Sequence, residues 1–573
     1  MTGPVRRHLP LLAVCAAALV LRSIGLQYGL PAVYNPDEVA IMSRALSFAK
    51  GTLNPHNFLY PTFYFYVLFA WVGIYLAFVW VTGRVDSIAS LQRLYFLDPT
   101  GIYTAGRALG VAAGTATVAL LYRLAARLTD QRTALAAAIF LAVAPLHVRD
   151  SHYVKHDVPA TLAIVVAYLA IVRVWPCARH DGPNRRDTML AGAACGIAFS
   201  THYYCVFLAI PLAIAIVSGW RSRGVSASLR ELTIGAIASA FVFFLLSPFL
   251  LVEPATAIRD VIANREIVID RAVTSGAFAP ARRYLEMLSA DAAGLPIALL
   301  GIAGVIGMLA NAPSRAALLL AFPLPFLLFI SNTAPASRYL NPVLPFLAIF
   351  AAWTVTALAA RFRASAAVFW ILVLAAAAPG LRTSIATDLF MRRDDTRTLA
   401  QRYIESYLPQ GTTILTQPYS AALQPSREGL VEALTRNLGS AEAASIKFQL
   451  QLSLDPYPAP SYRLLYLGRG GLDAEKIYVD PSSLAGSDAI AALRRLGVAY
   501  VLIKRYNKPD PETLPFLTVL AREGRRLAEF SPYRAGDVGG TATQADPFLH
   551  NTDARIVDEL ERPGPPLELW QIQ

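Results

Sequence analysis

PTFYFYVLFAWVGIYLAFVWVT (residues 61–82) is the stretch on which the topology of this 573-residue chain depends. It belongs to a series of apolar runs of roughly 20 residues, a length that crosses ~30 Å of hydrocarbon. Hydrophobic residues make up 55% of the chain and charged residues 16%, whereas ordinary soluble domains carry about 25% charge. The sequence therefore predicts a polytopic membrane protein.

Arginines between the runs predict how the chain is oriented in the membrane. The apolar runs lie at residues 9–27, 61–82, 102–122, 133–148, 158–175, 188–201, 203–219, 231–250, 294–310, 316–331, 341–360 and 364–380. Arginines cluster at 6–7, 123–132, 173–186, 221–230, 315 and 361–363. The positive-inside rule makes these segments cytoplasmic, so the net charge of +12 indicates topology and not a nucleic-acid partner.

The arginine pattern conflicts with a crossing by every run. Residues 1–8 and 123–132 cannot both be cytoplasmic if three spans separate them. The run 61–82 opens with proline and is crowded with aromatic residues, which favour the headgroup region, so we expect it to lie in the interface. This leaves about 11 transmembrane helices, a cytoplasmic N-terminus and a first outer loop at about 28–101 that carries juxtamembrane helices. The alternative is a true hairpin and one wrongly placed loop.

The two ends of the chain differ in composition. Residues 1–380 form the expected all-α membrane domain, and 381–573 the expected extracytoplasmic domain. The tail mixes an amphipathic helical pattern, RTLAQRYIESYL (397–408), with short strand patterns such as GTTIL (411–415). DAIAALRRLGVAYVLIK (488–504) has the pattern of a helix, a glycine stop and a strand. These features predict a small soluble α/β domain.

An acidic pair follows a proline at the outer rim, in YNPDEVAIMSRALSFAKG (34–51). Paired carboxylates suit general-base chemistry, because one takes a proton while the other orients a group or a metal. Asp37 is the candidate base, Asp157 its partner from the second outer loop, and Glu38 a further catalytic candidate. The alternative is that Asp37 caps a helix beginning at Glu38, where both acids favour the N-terminus.

The second outer loop, LHVRDSHYVKHDVPATL (146–162), concentrates polar side chains. His152 and His156 are four residues apart, as metal ligands on a helix are. A divalent metal at Asp157, His156 and Asp150 is therefore one hypothesis, although no cofactor is firmly implied. Anion binding and a solvated surface loop are the alternatives.

Two further polar segments fall on the same rim, STHYY (200–204) and ASRYLNPVLPF (336–346). Arg338 is a lone arginine on the outer side, against the charge bias. An arginine is well suited to bidentate phosphate contact, and simple snorkelling is the alternative. No nucleotide-binding glycine motif or serine-nucleophile elbow is evident in the sequence.

The chain resembles the GT-C glycosyltransferases, especially the protein O-mannosyltransferases and the lipid A aminoarabinose transferases. The resemblance rests on NPDE, YPTFYFY, AGRALGVAAGTATVALLYRLAARL, KHDVPATL and SRYLNPVLPFLAIFAAW, in this order. It implies an enzyme of the bacterial inner membrane that transfers a sugar from a polyprenyl-phosphate carrier to a hydroxyl group on a lipid, glycan or protein. The family's acidic residues map onto Asp37 and Asp157.

Donor recognition is expected from a set of rim residues, among which His202 stands where relatives often have lysine. The candidates for binding the donor phosphate are Arg338, Tyr339, Lys155, His152, His202 and Tyr60. The runner-up function is a transporter or flippase of a lipid-linked sugar. Such a protein should carry ionisable residues near the bilayer midplane and inverted repeats. A scaffold whose outer domain binds a partner is a third possibility, which leaves the rim acids unexplained.

Overall fold

The computed structural model describes residues 4–175, 184–220, 224–269, 279–471, 473–506, 510–534 and 560–572. The chain divides into two compact units. The first comprises residues 1–26, 35–77 and 102–389, and the second comprises 27–34, 78–101 and 390–573. The first unit is helical and the second contains a small sheet. The predicted combination of an apolar helical part and a C-terminal α/β part is thus confirmed in outline.

Helices dominate the chain as far as Met391. In chain order they are α1 Pro4–Ser23, α2 Pro36–Ser47, α3 Phe63–Val81, α4 Ile88–Leu97, α5 Thr100–Leu128, α6 Gln131–Ala142, α7 Pro145–Asp150, α8 Asp157–Val174, α9 Arg185–Thr201, α10 Ala209–Val217, α11 Val225–Leu246, α12 Phe249–Val252, α13 Pro254–Ile269, α14 Ala279–Met287, α15 Leu295–Asn311, α16 Pro313–Leu320, α17 Pro323–Ile330, α18 Leu344–Arg361 and α19 Ala366–Met391. Short 3-10 turns at Tyr203–Leu208 and Ser337–Val343 precede α10 and α18.

Six helical segments in the described residues are long and apolar enough to cross a membrane, or seven if the bent pair α16 and α17 is one span. Four shorter apolar helices lie at His8–Ser23, Gln131–Ala142, Tyr203–Val217 and Leu295–Asn311. The helix α3 is among the six by length and composition. The protein is therefore a multi-pass membrane protein, while the count of 11 spans and the interfacial position of α3 stay predictions.

Small residues let the membrane helices approach closely. A Cβ atom on Gly192 or Gly196 of α9 would overlap backbone oxygens of Gly235 and Ser239 on α11. Gly304 of α15 lies equally close to the backbone of α18. Because lipid removes the hydrophobic drive for helix association, such close backbone contacts supply much of the packing energy.

The second unit carries a six-stranded sheet in the order β3-β2-β1-β4-β6-β5. Strands β1 (Thr413–Thr416), β2 (Arg463–Leu467), β3 (Ile477–Val479) and β4 (Val498–Lys504) run parallel to one another. Strand β6 (Leu567–Ile572) is antiparallel to β4 and to β5 (Gly524–Phe530). The helices are α20 Thr396–Tyr407, α21 Arg427–Leu438, α22 Ile446–Leu452, α23 Ala489–Arg495 and α24 Leu514–Glu523.

The predicted helix, glycine stop and strand at 488–504 are confirmed as α23, Gly497 and β4. Gly497 adopts a left-handed φ of 77°, which a glycine reaches at little cost. Residues 27–34 of the expected first outer loop also belong to this unit, where the Tyr28 hydroxyl donates to the Asp395 carboxylate at 2.7 Å. The domain boundary at 380/381 stays a prediction.

Candidate active site

The helix α2 begins one residue before Asp37, and this sets the direction of its two acids. Asn35 is the N-cap, and its side-chain oxygen accepts from the Asp37 backbone N–H at 3.1 Å. Pro36 occupies the first helical position, where its missing N–H costs nothing. The interpretation of Asp37 as the cap is therefore wrong, since Asn35 already performs that role. The Asp37 carboxylate is left free for other contacts.

Glu38 is completely buried and bound on both oxygens. The Arg107 guanidinium of α5 donates to Oε1 at 2.9 Å and to Oε2 at 2.7 Å. The Val154 backbone N–H also donates to Oε1 at 2.9 Å. Glu38 thus connects α2, α5 and the second outer loop. Because no face of this carboxylate is open to a substrate, we assign Glu38 a positioning role in place of the predicted catalytic one.

Asp37 faces two cations from distant parts of the chain. Its Oδ2 lies 3.3 Å from the Lys155 Nζ and 3.6 Å from the Arg338 Nη1. The Asp37 side chain is 34% exposed, Arg338 25% and Lys155 only 4%. Burial tends to raise the pKa of Asp37, but the charges of Lys155 and Arg338 outweigh it and hold the pKa below its usual range. Asp37 is thus an accessible, ionised carboxylate.

The remaining rim candidates adjoin this cluster. Asp157, at the start of α8, is buried and interacts electrostatically with Arg338 and Lys155. The Arg338 guanidinium lies 5.3 Å from the centre of the Tyr339 ring. Simple snorkelling therefore does not describe Arg338, because the Asp37 carboxylate and the Tyr339 ring both lie against its guanidinium. We refer to Asp37, Lys155, Arg338 and Asp157 as the rim cluster.

The second outer loop is buried, so the interpretation as a solvated surface loop is wrong. Arg149 donates to the Asp150 carboxylate at 3.1 Å and to the Ser337 hydroxyl at 3.0 Å. The Asn341 amide donates to the other Asp150 oxygen at 2.7 Å. These contacts fix the loop to the segment that carries Arg338. Both carboxylate oxygens of Asp150 are therefore bound, one by Arg149 and the other by Asn341.

The paired histidines of this loop have different surroundings. His152 is buried, with Nε2 at 2.7 Å from the Ile24 carbonyl and Nδ1 at 2.9 Å from the Val148 carbonyl. Both of its ring nitrogens are therefore engaged by backbone carbonyls, which leaves neither one open to a ligand. The prediction that His152 and His156 are metal ligands on one helix is wrong, because His152 lies in the loop between α7 and α8. Within the described residues, no three His, Cys, Asp or Glu side chains form a group suited to a metal.

His156 belongs to an aromatic box beside the rim cluster. Its ring stacks on Tyr60 with centroids 4.3 Å apart, and lies 4.5 Å from the Tyr64 ring. His202 packs edge-on against Tyr60 at 5.3 Å and stacks on Tyr204 at 3.8 Å. We refer to Tyr60, Tyr64, His156, His202 and Tyr204 as the aromatic box.

The two histidines of the box are neutral. Burial, with the nearby His202 and Arg44, holds the pKa of His156 well below its usual value. Burial, with Arg338, lowers the pKa of His202 to about 3. Burial also raises the pKa of Tyr60, so its hydroxyl keeps its proton. The box can donate hydrogen bonds and stack on a ring, but the charge for an anion must come from Lys155 and Arg338.

Sequence reasoning missed Arg107, the partner of Glu38. This arginine lies inside the apolar run 102–122, and a lone ionisable residue in a span almost always has a specific partner. That signal was available. Tyr153, whose ring lies 5.5 Å from the Lys155 Nζ and 6.0 Å from the Arg107 guanidinium, had no comparable signal.

Comparisons with known proteins concern the fold of the chain. Residues 103–251 match the family model of dolichyl-phosphate-mannose-protein mannosyltransferases. Among solved structures, ArnT from Cupriavidus metallidurans bound to undecaprenyl phosphate has a TM-score of 0.51 at 14% identity, covering 90% of this chain and 96% of ArnT. No curated protein matches.

The archaeal oligosaccharyltransferase AglB from Archaeoglobus fulgidus, in complex with an inhibitory peptide and a dolichol phosphate, has the same fold. Its TM-score is 0.50 at 13% identity, covering 88% of this chain and 70% of AglB. At these identities the structures show the fold alone. The shared fold and the family match over residues 103–251 agree with the predicted resemblance to the GT-C glycosyltransferases.

Proposed function

We propose that the protein transfers a sugar from a polyprenyl-phosphate carrier to a hydroxyl acceptor. The transfer takes place where the extracytoplasmic face of the membrane meets water. The observation that carries this function is the rim cluster, in which one accessible carboxylate lies between two cations in a GT-C fold. A carboxylate alone suits many reactions. A carboxylate beside a lysine and an arginine suits a reaction in which a proton is taken and a phosphate leaves.

The two cations stabilise the phosphate as it departs. During transfer, the bond between the anomeric carbon and the phosphate oxygen breaks, and its electrons move onto the phosphate. The negative charge on the phosphate therefore grows toward the transition state. Lys155 and Arg338 are held in place by Asp37, Asp157 and the Tyr339 ring, so they need little reorganisation to meet this charge.

Asp37 is the proton acceptor in this scheme. It takes the proton from the acceptor hydroxyl while the oxygen of that hydroxyl forms the new bond to the anomeric carbon. In the free protein the same two cations hold the Asp37 pKa down, which makes it a weak base. When a donor phosphate binds Lys155 and Arg338, their attraction is shared with the phosphate. Donor binding therefore makes Asp37 a stronger base when the acceptor must be deprotonated.

The aromatic box provides a neutral wall for the sugar. Tyr60 interacts electrostatically with Arg338, Asp37 and Asp157, which places the box next to the rim cluster. The protonated Tyr60 hydroxyl and the uncharged His202 ring can form hydrogen bonds with sugar hydroxyls. The metal hypothesis has little support beside this arrangement, because the charge of Asp37 is already balanced by two cations, and we assign no step to a metal.

The proposed topology has a cytoplasmic N-terminus and an extracytoplasmic C-terminal domain in a bacterial inner membrane. His8 of α1 and Arg123 and Arg127 of α5 line one cavity, which supports a common side for residues 1–8 and 123–132. The Trp71 indole, near the middle of α3, donates to the Ala105 carbonyl near the start of α5. The interfacial position of α3 is proposed because its aromatic residues favour the headgroup region.

A transfer assay with purified protein tests the function. Lipid nanodiscs would be loaded with a polyprenyl-phosphate sugar labelled in the sugar, and membrane extracts would serve as acceptors. We expect label in the acceptor fraction with wild type and with Asp98→Asn, an exposed carboxylate control, but not with Asp37→Asn. Movement of intact donor between leaflets without cleavage would favour the flippase alternative, which neither comparison supports.

A further inference from the structure

A second charged site lies in the first unit, around the cavity that His8 lines. The cavity has a volume of about 350 Å³ and is lined by His8, Tyr122, Arg123, Ala126, Arg127 and Gln131. Its size falls in the range of small-molecule sites. The rim cluster includes none of these residues. We refer to these six residues as the basic cavity.

Like charges crowd the basic cavity. Arg123 and Arg127 are four residues apart on α5, so their side chains share one face of the helix. Arg127 is repelled by both Arg123 and Arg173. Two cations at this spacing destabilise a helix unless a counter-charge approaches them.

No carboxylate in the described part of the chain pairs with Arg123 or Arg127. Arg127 donates only to the Leu169 carbonyl, at 2.8 Å, which leaves other guanidinium N–H groups unused. The nearest acid in sequence, Asp130, caps α6 by accepting from the backbone N–H groups of Arg132 and Thr133. Asp187 lies 3.9 Å from Arg173 and not from the cavity arginines. Among the described residues, neither cavity arginine therefore has an acidic partner.

The position of the cavity indicates the type of anion. It lies where α1 begins and α5 ends, at the helix ends that the positive-inside rule assigns to the cytoplasm. Tyr122 and Ala126 give it an apolar wall next to the basic groups. Basic pockets between membrane helices on this side suit lipid headgroups, and planar guanidinium groups suit phosphate.

We propose that the basic cavity binds a phosphate group, with Arg123 and Arg127 as its two cationic contacts. The phosphate is that of an anionic phospholipid headgroup, or a soluble phosphate ligand with the same chemistry. This site is independent of the sugar-transfer function, because it lies at the opposite end of α5 from Arg107 and the rim.

Delipidated full-length protein in detergent tests the proposal. Phosphatidylglycerol, phosphatidylcholine and inorganic phosphate would be titrated separately while the melting temperature is followed, because a ligand of the folded state raises it. The Arg123→Gln/Arg127→Gln double variant would be compared with Arg315→Gln/Arg361→Gln. This control removes the same charge from two other expected cytoplasmic turns.

We expect phosphatidylglycerol to stabilise wild type, with an apparent affinity at least about tenfold weaker in the cavity variant and near wild type in the control. The apparent phosphatidylglycerol affinity of Arg123→Lys should lie between those of wild type and the cavity variant. This substitution keeps the positive charge but loses the planar guanidinium group. Stabilisation by inorganic phosphate that depends on the same arginines would assign the site to a soluble ligand. Equal phosphatidylglycerol affinity in both double variants, or stabilisation by neither probe, would overturn the proposal.

Discussion

The rim around Asp37 and the layer beneath it around Glu38 show how adjacent carboxylates acquire opposite roles. Asp37 is partly exposed and lies at longer distances, 3.3 and 3.6 Å, from two cations. Glu38 is buried and forms short bonds to one arginine and one backbone N–H. The loose pairing leaves Asp37 able to exchange partners with a substrate. The tight pairing makes Glu38 part of the framework that positions Asp37.

The largest expected effect separates these roles directly. Asp37→Asn should reduce turnover by about 10²- to 10⁴-fold, the usual contribution of a general base, because the amide cannot accept the proton. The cap Asn35 is untouched, so the melting temperature should stay near wild type. The measurement pairs a sugar-transfer assay with a thermal melt. Full activity in Asp37→Asn would remove the catalytic role.

The next prediction concerns the buried pair of Glu38 and Arg107, which positions Asp37. Arg107→Met leaves the Glu38 charge buried without its partner, and breaking a buried pair in this way costs about 3–5 kcal/mol. We expect a clear fall in the melting temperature, with donor affinity less affected in the fraction that folds. Arg382→Met, an exposed arginine on α19, is the matched control.

A double variant tests whether the cost comes from the unpaired charge. Glu38→Leu/Arg107→Leu should be less destabilised than the sum of its single variants, because neither charge is left buried alone. Additive losses would mean that the pair is not coupled. Thermal melts of the four proteins supply this comparison.

A smaller effect is expected for the phosphate contact. Arg338→Ala should weaken donor binding by about 1.5–3 kcal/mol, the contribution of a charge-assisted contact. Arg338→Lys should recover part of it, because the charge returns without the planar fork. Donor affinity can be measured by titration of a polyprenyl phosphate, with Arg282→Ala as an exposed control. Unchanged affinity in Arg338→Ala would show that Arg338 serves only Asp37.

Some of this arrangement was predictable and some was not. The arginine pattern correctly suggested that the segments carrying Asp37, Lys155 and Arg338 lie together, because their loops fall on one predicted side. The start of α2 was missed, although an Asn before a Pro is a recognised helix start and the signal was there. The burial of the second outer loop had no local signal, since its density of His, Lys and Asp is typical of an exposed segment. The loop is buried by contacts with distant segments of the chain, at Ile24, Glu38, Tyr60 and residues 337–341.

The smallest expected effect is a difference between two pH profiles. In the free protein, Lys155 and Arg338 hold the Asp37 pKa below its usual value, against the opposing effect of burial. In the donor complex the phosphate shares these cations, and the Asp37 pKa should rise. The acid limb of kcat/KM for the donor reports the free protein, and the acid limb of kcat reports the complex. We therefore expect the acid limb of kcat to lie at higher pH than the acid limb of kcat/KM. The phosphodiester of the donor does not titrate in this range, so it adds no limb of its own.

Arg338→Ala should move the acid limb of kcat/KM to higher pH and narrow its distance from the kcat limb. The reason is that the free protein loses one of the two charges that hold the Asp37 pKa down. Coincident limbs in wild type would show that Asp37 keeps its cations throughout the reaction, and the exchange of partners between Asp37 and the donor phosphate would then have to be abandoned.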